Sequence, residues 1–173
     1  AELEELILAL AAPYQQELTI LQTAPGISSP FTAIGIISEI GTNMEAFPSA
    51  KHLCSWAGLT PTNNESAGKK KSVRVSKAGC YIKPLLVQCA NAVVKSTKHP
   101  EMRNRYLRLK KRRGHKKAII AIARMLLTAL YNMLKNKELY QKSDLLPVDR
   151  EITVEQALMI ARNQGYKIKS ATA

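Results

Sequence analysis

Residues 116–137 read KKAIIAIARMLLTALYNMLKNK, the most strongly patterned stretch of the chain. Apolar residues recur in it every three or four positions, which is the spacing of one face of an α-helix. They are Ile119, Ile122, Ala123, Leu126, Leu130, Met133 and Leu134. We predict that this segment is the central core helix of the fold.

Six further helices are predicted from the same spacing and from residues that typically begin or end helices. They cover residues 2–23, 30–41, 49–57, from Cys80 onward, 100–114 and 153–165. The first must kink or divide at Pro13, because proline lacks the amide hydrogen that a helix interior needs. Residues 59–78 show no apolar periodicity, so we predict a loop there, in which residues 72–75 could at most form a short strand.

These elements predict a mostly α-helical, multi-helix domain with a helix-hairpin-helix-like element and a basic loop that carries a serine. A chain of 173 residues, 46% of them hydrophobic, can bury a core of its own. We divide it into residues 1–17, the end of a preceding helical linker, 18–140, the serine-bearing domain, and 141–173, a C-terminal helical extension. Because the chain starts inside a helical pattern, we expect it to be part of a longer protein.

Positive charge is concentrated in the middle of the chain. The formal net charge is +13, and residues 66–137 hold 20 of the 26 Lys and Arg residues but a single acid, Glu101. Residues 1–65 hold one base and seven acids. A concentrated positive surface is what binding to a polyanion requires. We therefore expect DNA as a partner, held first through its phosphates.

The cysteines and the chain ends favour a cytoplasmic protein without a membrane partner. Cys54, Cys80 and Cys89 lack the spacing of a disulfide framework or a zinc site, so we expect them to be reduced core residues. The N-terminus is acidic where a signal peptide is basic. The most apolar stretch, residues 118–134, contains Arg124, which argues against a membrane span.

The turn Pro25-Gly26-Ile27 between the first two predicted helices is a candidate phosphate-binding element. It resembles a helix-hairpin-helix motif, in which backbone N–H groups of the turn and the following helix N-terminus bind a DNA phosphate without reading sequence. Gly26, Ile27 and Ser28 would make that contact, and Ser28 replaces the second glycine usual in the motif. The alternative interpretation is an ordinary corner between two helices.

Ser66 precedes a lysine-rich loop and has three possible roles: a nucleophile, a phosphate-binding hydroxyl or a turn residue. Attack of a serine on a phosphodiester needs cations that stabilise the charge developing on phosphorus and its oxygens. Nearby bases could supply that charge, namely Lys69, Lys70, Lys71 and Arg74. His52, His99 and His115 are scattered, so no Ser/His/Asp arrangement is predicted, and no cluster of carboxylates offers a metal site in this chain.

The order of short motifs along the chain resembles one family, the IS-one-ten-type insertion-sequence transposases, also called bridge recombinases. Seven motifs over about residues 18–140 carry the resemblance: Leu21-x-x-x-Pro25-Gly26-Ile27, Glu39-Ile40-Gly41, Phe47-x-Ser49-x-Lys51-x-Leu53, Trp56-Ala57-Gly58-Leu59-x-Pro61, Ser66 before a Gly/Lys loop, Ser76-Lys77-x-Gly79, and the helix beginning Lys116-Lys117-Ala118. The family commonly has Ser-Gly-Gly where this chain has Ser66-Ala67-Gly68, and an arginine where Lys83 stands.

The resemblance implies a DNA recombinase in which Ser66 forms a covalent link to DNA during strand exchange. It also implies a separate RuvC-like domain with four acidic residues, where Mg²⁺ is expected, a structured noncoding guide RNA, and a homo-oligomer, dimer or tetramer, with active sites assembled between protomers. No cofactor is expected in this chain itself.

We therefore predict Ser66 as the catalytic residue and a set of nucleic-acid contacts around it. Those contacts are Gly26, Ile27, Ser28, Lys69, Lys70, Lys71, Arg74, Lys77, Arg105, Arg108, Arg112, Lys116 and Lys117. The alternative function is a non-catalytic helix-hairpin-helix DNA-binding module in which Ser66 is only a loop residue.

Overall fold

The helix predicted over residues 116–137 is present as His115–Asn136 and forms the centre of the fold. The structure, a computed structural model, describes residues 2–61, 64–66, 69–72, 75–141 and 158, and only the backbone of residues 64–66 and 69–72. By its internal contacts the chain divides into two units, Ala1–Gln141 and Lys142–Ala173, and all the elements below belong to the first.

The described part of the chain is mostly α-helical, as the sequence predicts. In chain order the helices are α1 (Glu2–Ala11), α2 (Gln15–Gln22), α3 (Pro30–Ile40), α4 (Ala50–Trp56), α5 (Ile82–Lys95), α6 (Pro100–Arg113) and α7 (His115–Asn136). Short 3-10 helices lie at Ala12–Tyr14 and Met44–Ala46, and two short strands, β1 (Asn64–Ser66) and β2 (Lys69–Ser72), lie between α4 and α5.

Four helices pack around α7, namely α2, α4, α5 and α6, while α3 packs on α2 and α5. Ten residues of α7 are buried, and Leu126, Leu127 and Leu130 are fully enclosed. Burying one such side chain contributes roughly 1.5–3 kcal/mol. The aliphatic stripe read from the sequence is therefore the main source of cohesion, and the prediction of a central core helix is confirmed.

The predicted helix ends are confirmed in α3 and α4. Ser29 is extended and Pro30 is the first residue of α3, which stops at Gly41 with φ +71°. The Ser49 side chain accepts a hydrogen bond from the backbone N–H of His52 and caps α4. Helix α3 thus starts at a proline, whose fixed φ matches the first helical turn. Helix α4 starts after a serine, whose hydroxyl binds a free N–H of the first turn.

The first predicted helix is divided at Pro13, but its apolar stripe is only half buried. Leu18 and Leu21 in α2 lie in the core, whereas Leu3 and Leu10 in α1 are each 69% exposed. The 3-10 turn Ala12–Tyr14 has about three residues per turn and shifts the phase of the stripe between the two helices. Helical spacing therefore predicts the helices here but does not show which of their apolar residues are buried.

The loop prediction for residues 59–78 is wrong in part, because the backbone there forms an antiparallel hairpin. β1 pairs with β2, with Glu65 opposite Lys70, Ser66 opposite Lys69 and an irregularity between residues 64 and 65. The second strand is Lys69–Ser72, and residues 73 and 74 of the segment predicted as a possible strand lie outside the described residues. Polar strands of three and four residues carry no apolar alternation, so the pairing itself leaves no signal in the sequence.

Two predictions fall outside the described residues. The helix predicted over residues 153–165 lies there, apart from Leu158, and so do Arg74 and the connection between the two strands.

Candidate nucleic-acid interface

The turn between α2 and α3 is held tightly against α5. Gly26 has φ +79°, and a Cβ added there would lie 2.6 Å from the carbonyl oxygen of Cys89. Both the backbone angle and the close approach require glycine. Ile27 is fully buried, so the turn is anchored in the core on one side while Ser28 is exposed on the other.

The start of α3 presents backbone N–H groups beside this turn. Ser29 makes no side-chain cap, and Pro30 has no amide hydrogen. Among the described residues, no acceptor binds the N–H of Ser28 or of Phe31. Unpaired N–H groups and the positive end of the helix dipole favour an anion at this position.

The hairpin places Ser66 directly opposite a lysine. Its Cα partner is Lys69, the first residue of β2, and the next two residues of that strand are also lysines. Paired residues of antiparallel strands lie only about 4.5–5.5 Å apart between Cα atoms. The serine is thus held at the end of β1, next to a strand that carries three consecutive positive charges.

The segment at the base of the hairpin is joined to α5 by hydrogen bonds from a lysine side chain. Pro61 pairs with Val75 across the two arms. The Lys83 ammonium donates hydrogen bonds to the carbonyl oxygens of Ser76 (2.7 Å) and Ala78 (2.8 Å). Sequence reasoning missed this role of Lys83, since nothing in the local pattern shows which carbonyls a lysine will reach.

Two glycines allow this junction to close. A Cβ on Gly79 would lie 2.3 Å from the carbonyl oxygen of Ala57, and one on Gly58 would lie 2.4 Å from that of Ala78. Atoms this close overlap, so only a hydrogen fits at either position. Lys77 lies in the same segment and is exposed.

Three predicted arginines share one face of α6. Arg105, Arg108 and Arg112 follow the i, i+3, i+7 spacing, are all exposed, and line one groove together with Leu109. Met102 and Tyr106 are buried and fix the helix on the core. The arginines therefore stand on a rigid element, with their side chains free to reach a ligand.

Further bases surround the junction of α6 and α7. Lys116 and Lys117 are exposed in the first turn of α7, where the helix dipole disfavours positive charge. None of the nine bases from Arg103 to Lys117 forms an ion pair with an acid in the described part of the chain. Such a density of unpaired charge is stabilised by a bound polyanion.

The predicted site residues thus form three groups: the α2–α3 turn, the hairpin, and the α6–α7 face. Among the described elements the two strands pack extensively only on each other. The described contacts that join the hairpin segment to the core are those at its base.

A comparison with protein families then decides the identity of the chain. The model of the family described as "Transposase IS116/IS110/IS902 family" matches residues 18–107. The match spans more than half of the chain and contains the turn, the hairpin and the start of α6.

The chain belongs to the IS116/IS110/IS902 transposase family. No curated protein and no solved structure matches it.

The cysteines of this transposase chain divide between core and surface. Cys54 and Cys89 are buried, as expected, but Cys80 is exposed, which corrects the prediction that all three lie in the core. Burial raises the pKa of the Cys89 thiol to about 11. That thiol is therefore protonated at neutral pH and is a poor nucleophile.

Helix α7 of the transposase chain is long and apolar enough to cross a membrane by length and composition alone. Ten of its residues, however, are buried against the other helices. The core helix of a soluble protein meets the same criterion, so α7 gives only weak support for a membrane span.

Proposed function

We propose that this chain is the DNA-binding and serine-bearing part of a transposase, and that Ser66 attacks DNA during strand exchange. The observation that carries the proposal is the position of Ser66 within the family match, opposite Lys69 on a strand of three lysines. A nucleophile of this kind needs close cations, and the paired strand supplies them.

The chemistry is an exchange of phosphoester bonds. The Ser66 hydroxyl loses its proton, and its oxygen attacks a DNA phosphorus. The bond between phosphorus and a sugar oxygen then breaks, and the sugar oxygen leaves with a proton as a hydroxyl. A sugar hydroxyl from another strand later reverses the step on the phosphoserine, which restores the serine and joins the new strands.

The lysines of β2 stabilise the negative charge that grows on the phosphate oxygens during each step. The described residues do not offer a metal site, because no three His, Cys, Asp or Glu side chains come together among them. Mg²⁺ belongs, in this proposal, to a RuvC-like domain of the complete protein, and no step here is derived through it. The guide RNA and the homo-oligomer are further parts of the same proposal.

The arginine face of α6 and the α2–α3 turn bind the DNA backbone in this proposal. Contacts to phosphate position a duplex without reading its sequence. Replacing Arg105, Arg108 and Arg112 with alanine should therefore weaken all duplexes alike. With six to ten phosphate contacts, affinity should also fall roughly a thousandfold or more between about 50 and 200 mM salt.

A matched control removes the same charge elsewhere. Three exposed lysines on separate helices and connections serve for it: Lys51, Lys98 and Lys135, each changed to alanine. Fluorescence anisotropy with several duplex sequences compares the two triple variants. A loss confined to one sequence would show that the arginines read bases, and equal losses in both variants would remove the special role of this face.

The nucleophile is tested by Ser66→Ala in the complete transposase. The variant should abolish recombination and the covalent protein–DNA adduct, detected on a denaturing gel, while DNA and RNA binding stay nearly unchanged. Ser66→Cys is the conservative companion, since a thiolate can also attack phosphorus. Recombination at a normal rate by the alanine variant would contradict the proposal.

A non-catalytic helix-hairpin-helix module is the second candidate function. The geometry of the α2–α3 turn favours it, because Gly26 is locked against α5 and no acceptor among the described residues binds the N–H of Ser28 or of Phe31. In that case Ser66→Ala leaves every activity of the protein intact, and Gly26→Ala removes DNA binding.

A further inference from the structure

A second cationic groove lies between α5, α6 and the start of α7. It is lined by Asn91, Val94, Lys95, Arg103, Leu107 and His115. None of these residues lines the groove of Arg105, Arg108 and Arg112. At 3.6 residues per turn, Arg103 and Leu107 project from the side of α6 opposite the arginine face. Helix α6 therefore separates two basic surfaces.

One hydrogen bond and one ring contact join two walls of the groove, α6 and the start of α7. The Tyr106 hydroxyl and Nδ1 of His115 lie 2.8 Å apart, and the two rings meet edge to face. The Lys110 ammonium lies 5.8 Å from the centre of the Tyr106 ring. The contacts between Tyr106 and His115 tie α6 to α7, so these two walls of the groove are fixed before any ligand arrives.

The surface of the groove combines positive charge with apolar side chains. Lys95 and Arg103 are exposed and have no acidic partner among the described residues. Leu107 is 47% exposed and adds an apolar side chain to the lining of the same groove. Nε2 of His115, on the far side of the ring from Tyr106, has no hydrogen-bond partner in the described part of the chain.

This combination fits an unpaired nucleotide better than a duplex. A duplex stacks its bases inside and offers only its phosphates to a surface of this kind. An unpaired strand also exposes the faces of its bases, which pack on apolar and aromatic side chains. Lys95 and Arg103 can bind the phosphate through their positive charges. Leu107 and Val94 can pack against the base.

We propose that the groove between α5 and α6 binds an unpaired nucleic-acid strand, while the arginine face on the other side of α6 holds duplex DNA. The inference rests on the proposed function for the assignment of the duplex, but the groove itself is argued from its own residues. The strand can be DNA or RNA, because both present the same phosphates and base faces.

The test uses the whole chain, labelled single-stranded DNA, RNA of the same sequence, and duplex DNA, followed by fluorescence anisotropy. Lys95→Ala with Arg103→Ala should weaken single-strand binding about tenfold and lower its salt slope by roughly 1.4, that is 0.7 for each lost phosphate contact. Duplex affinity should change less than twofold. A preference between the DNA and RNA probes identifies the source of the strand.

Leu107→Lys gives the sharper test, because charge and apolar contact predict opposite results. The residue is exposed, so the variant should fold normally, and its thermal unfolding checks this. If the groove were only a positive surface, an added lysine would tighten single-strand binding. We expect weaker binding instead, because the base loses its apolar contact.

Tighter single-strand binding by Leu107→Lys would overturn the proposal, and so would equal losses for single strand and duplex in the Lys95/Arg103 double variant. Failure of the arginine-face variants to affect the duplex would count against the proposed function alone. The two inferences therefore fail separately.

Discussion

Changing Gly79 to alanine should destabilise the junction between the hairpin base and α4. The loss of stability should exceed the cost of placing an alanine at a positive φ. Gly79 has φ +67°, and its added Cβ would lie 2.3 Å from the carbonyl oxygen of Ala57. Gly41 gives a matched control, since its φ is +71° but an added Cβ meets no atom within 4 Å. Both substitutions place an alanine at a positive φ, but only Gly79→Ala adds a clash with packed backbone.

The expected magnitudes follow from those two contributions. A left-handed backbone costs an alanine roughly 1–2 kcal/mol, which both variants lose. Overlap with a carbonyl on packed backbone adds about 1–3 kcal/mol for Gly79→Ala alone, because the neighbour is not a flexible side chain. At roughly 2–4 °C per kcal/mol for a chain of this size, the melting temperature of Gly79→Ala should lie several degrees below that of Gly41→Ala.

Thermal unfolding followed by circular dichroism measures the difference, and urea unfolding of both variants provides the free energies. In the complete transposase, assayed well below both melting temperatures, Gly79→Ala should also reduce recombination more, because the segment that carries the hairpin must move away from α4. Equal melting temperatures for the two variants would refute the reasoning that the Ala57 contact holds this junction.

Two further predictions concern the core and the ion pair between Glu17 and Lys137. Leu126→Ala should cost about 2–5 kcal/mol because the fully buried side chain leaves a cavity, whereas Ser66→Ala should cost little; urea unfolding compares them, and a larger loss for the serine variant would make Ser66 structural. The Lys137 ammonium donates a 2.5 Å hydrogen bond that lowers the pKa of the Glu17 carboxyl. A lowered folded-state pKa stabilises the protein above the unfolded-state value, and this stability is lost as pH falls through the folded-state value. Glu17→Gln should therefore cost on the order of 0.5 kcal/mol at neutral pH and nothing once the carboxyl is protonated, and a pH-independent difference would contradict the assignment.

Local signals predicted the helices well. The proline at the start of α3, the serine cap of α4 and the stripe of α7 each act within one or two turns, so they can be read from neighbouring residues. The basic character of α6 was equally plain, because exposed charge on a helix is a property of composition and spacing.

The hairpin and the α1 stripe could not be predicted in the same way. β1 and β2 are polar, so neither strand has an apolar pattern that predicts it. Their pairing depends on the register between the two strands. The stripe of α1 has helical spacing, yet whether it is buried depends on which element reaches it, and Leu3 stays exposed.

The sequence by itself determined the helical class, the core helix, the concentration of positive charge and the motif order of the transposase family, because these depend on residue type and on spacing along the chain. Only the tertiary structure decided which distant groups meet. It set Lys83 on two carbonyls, closed Gly79 against Ala57, and placed Lys95 of α5 beside Arg103 of α6. Contacts of this kind form when separate elements bury their apolar faces together, and no local pattern specifies their geometry.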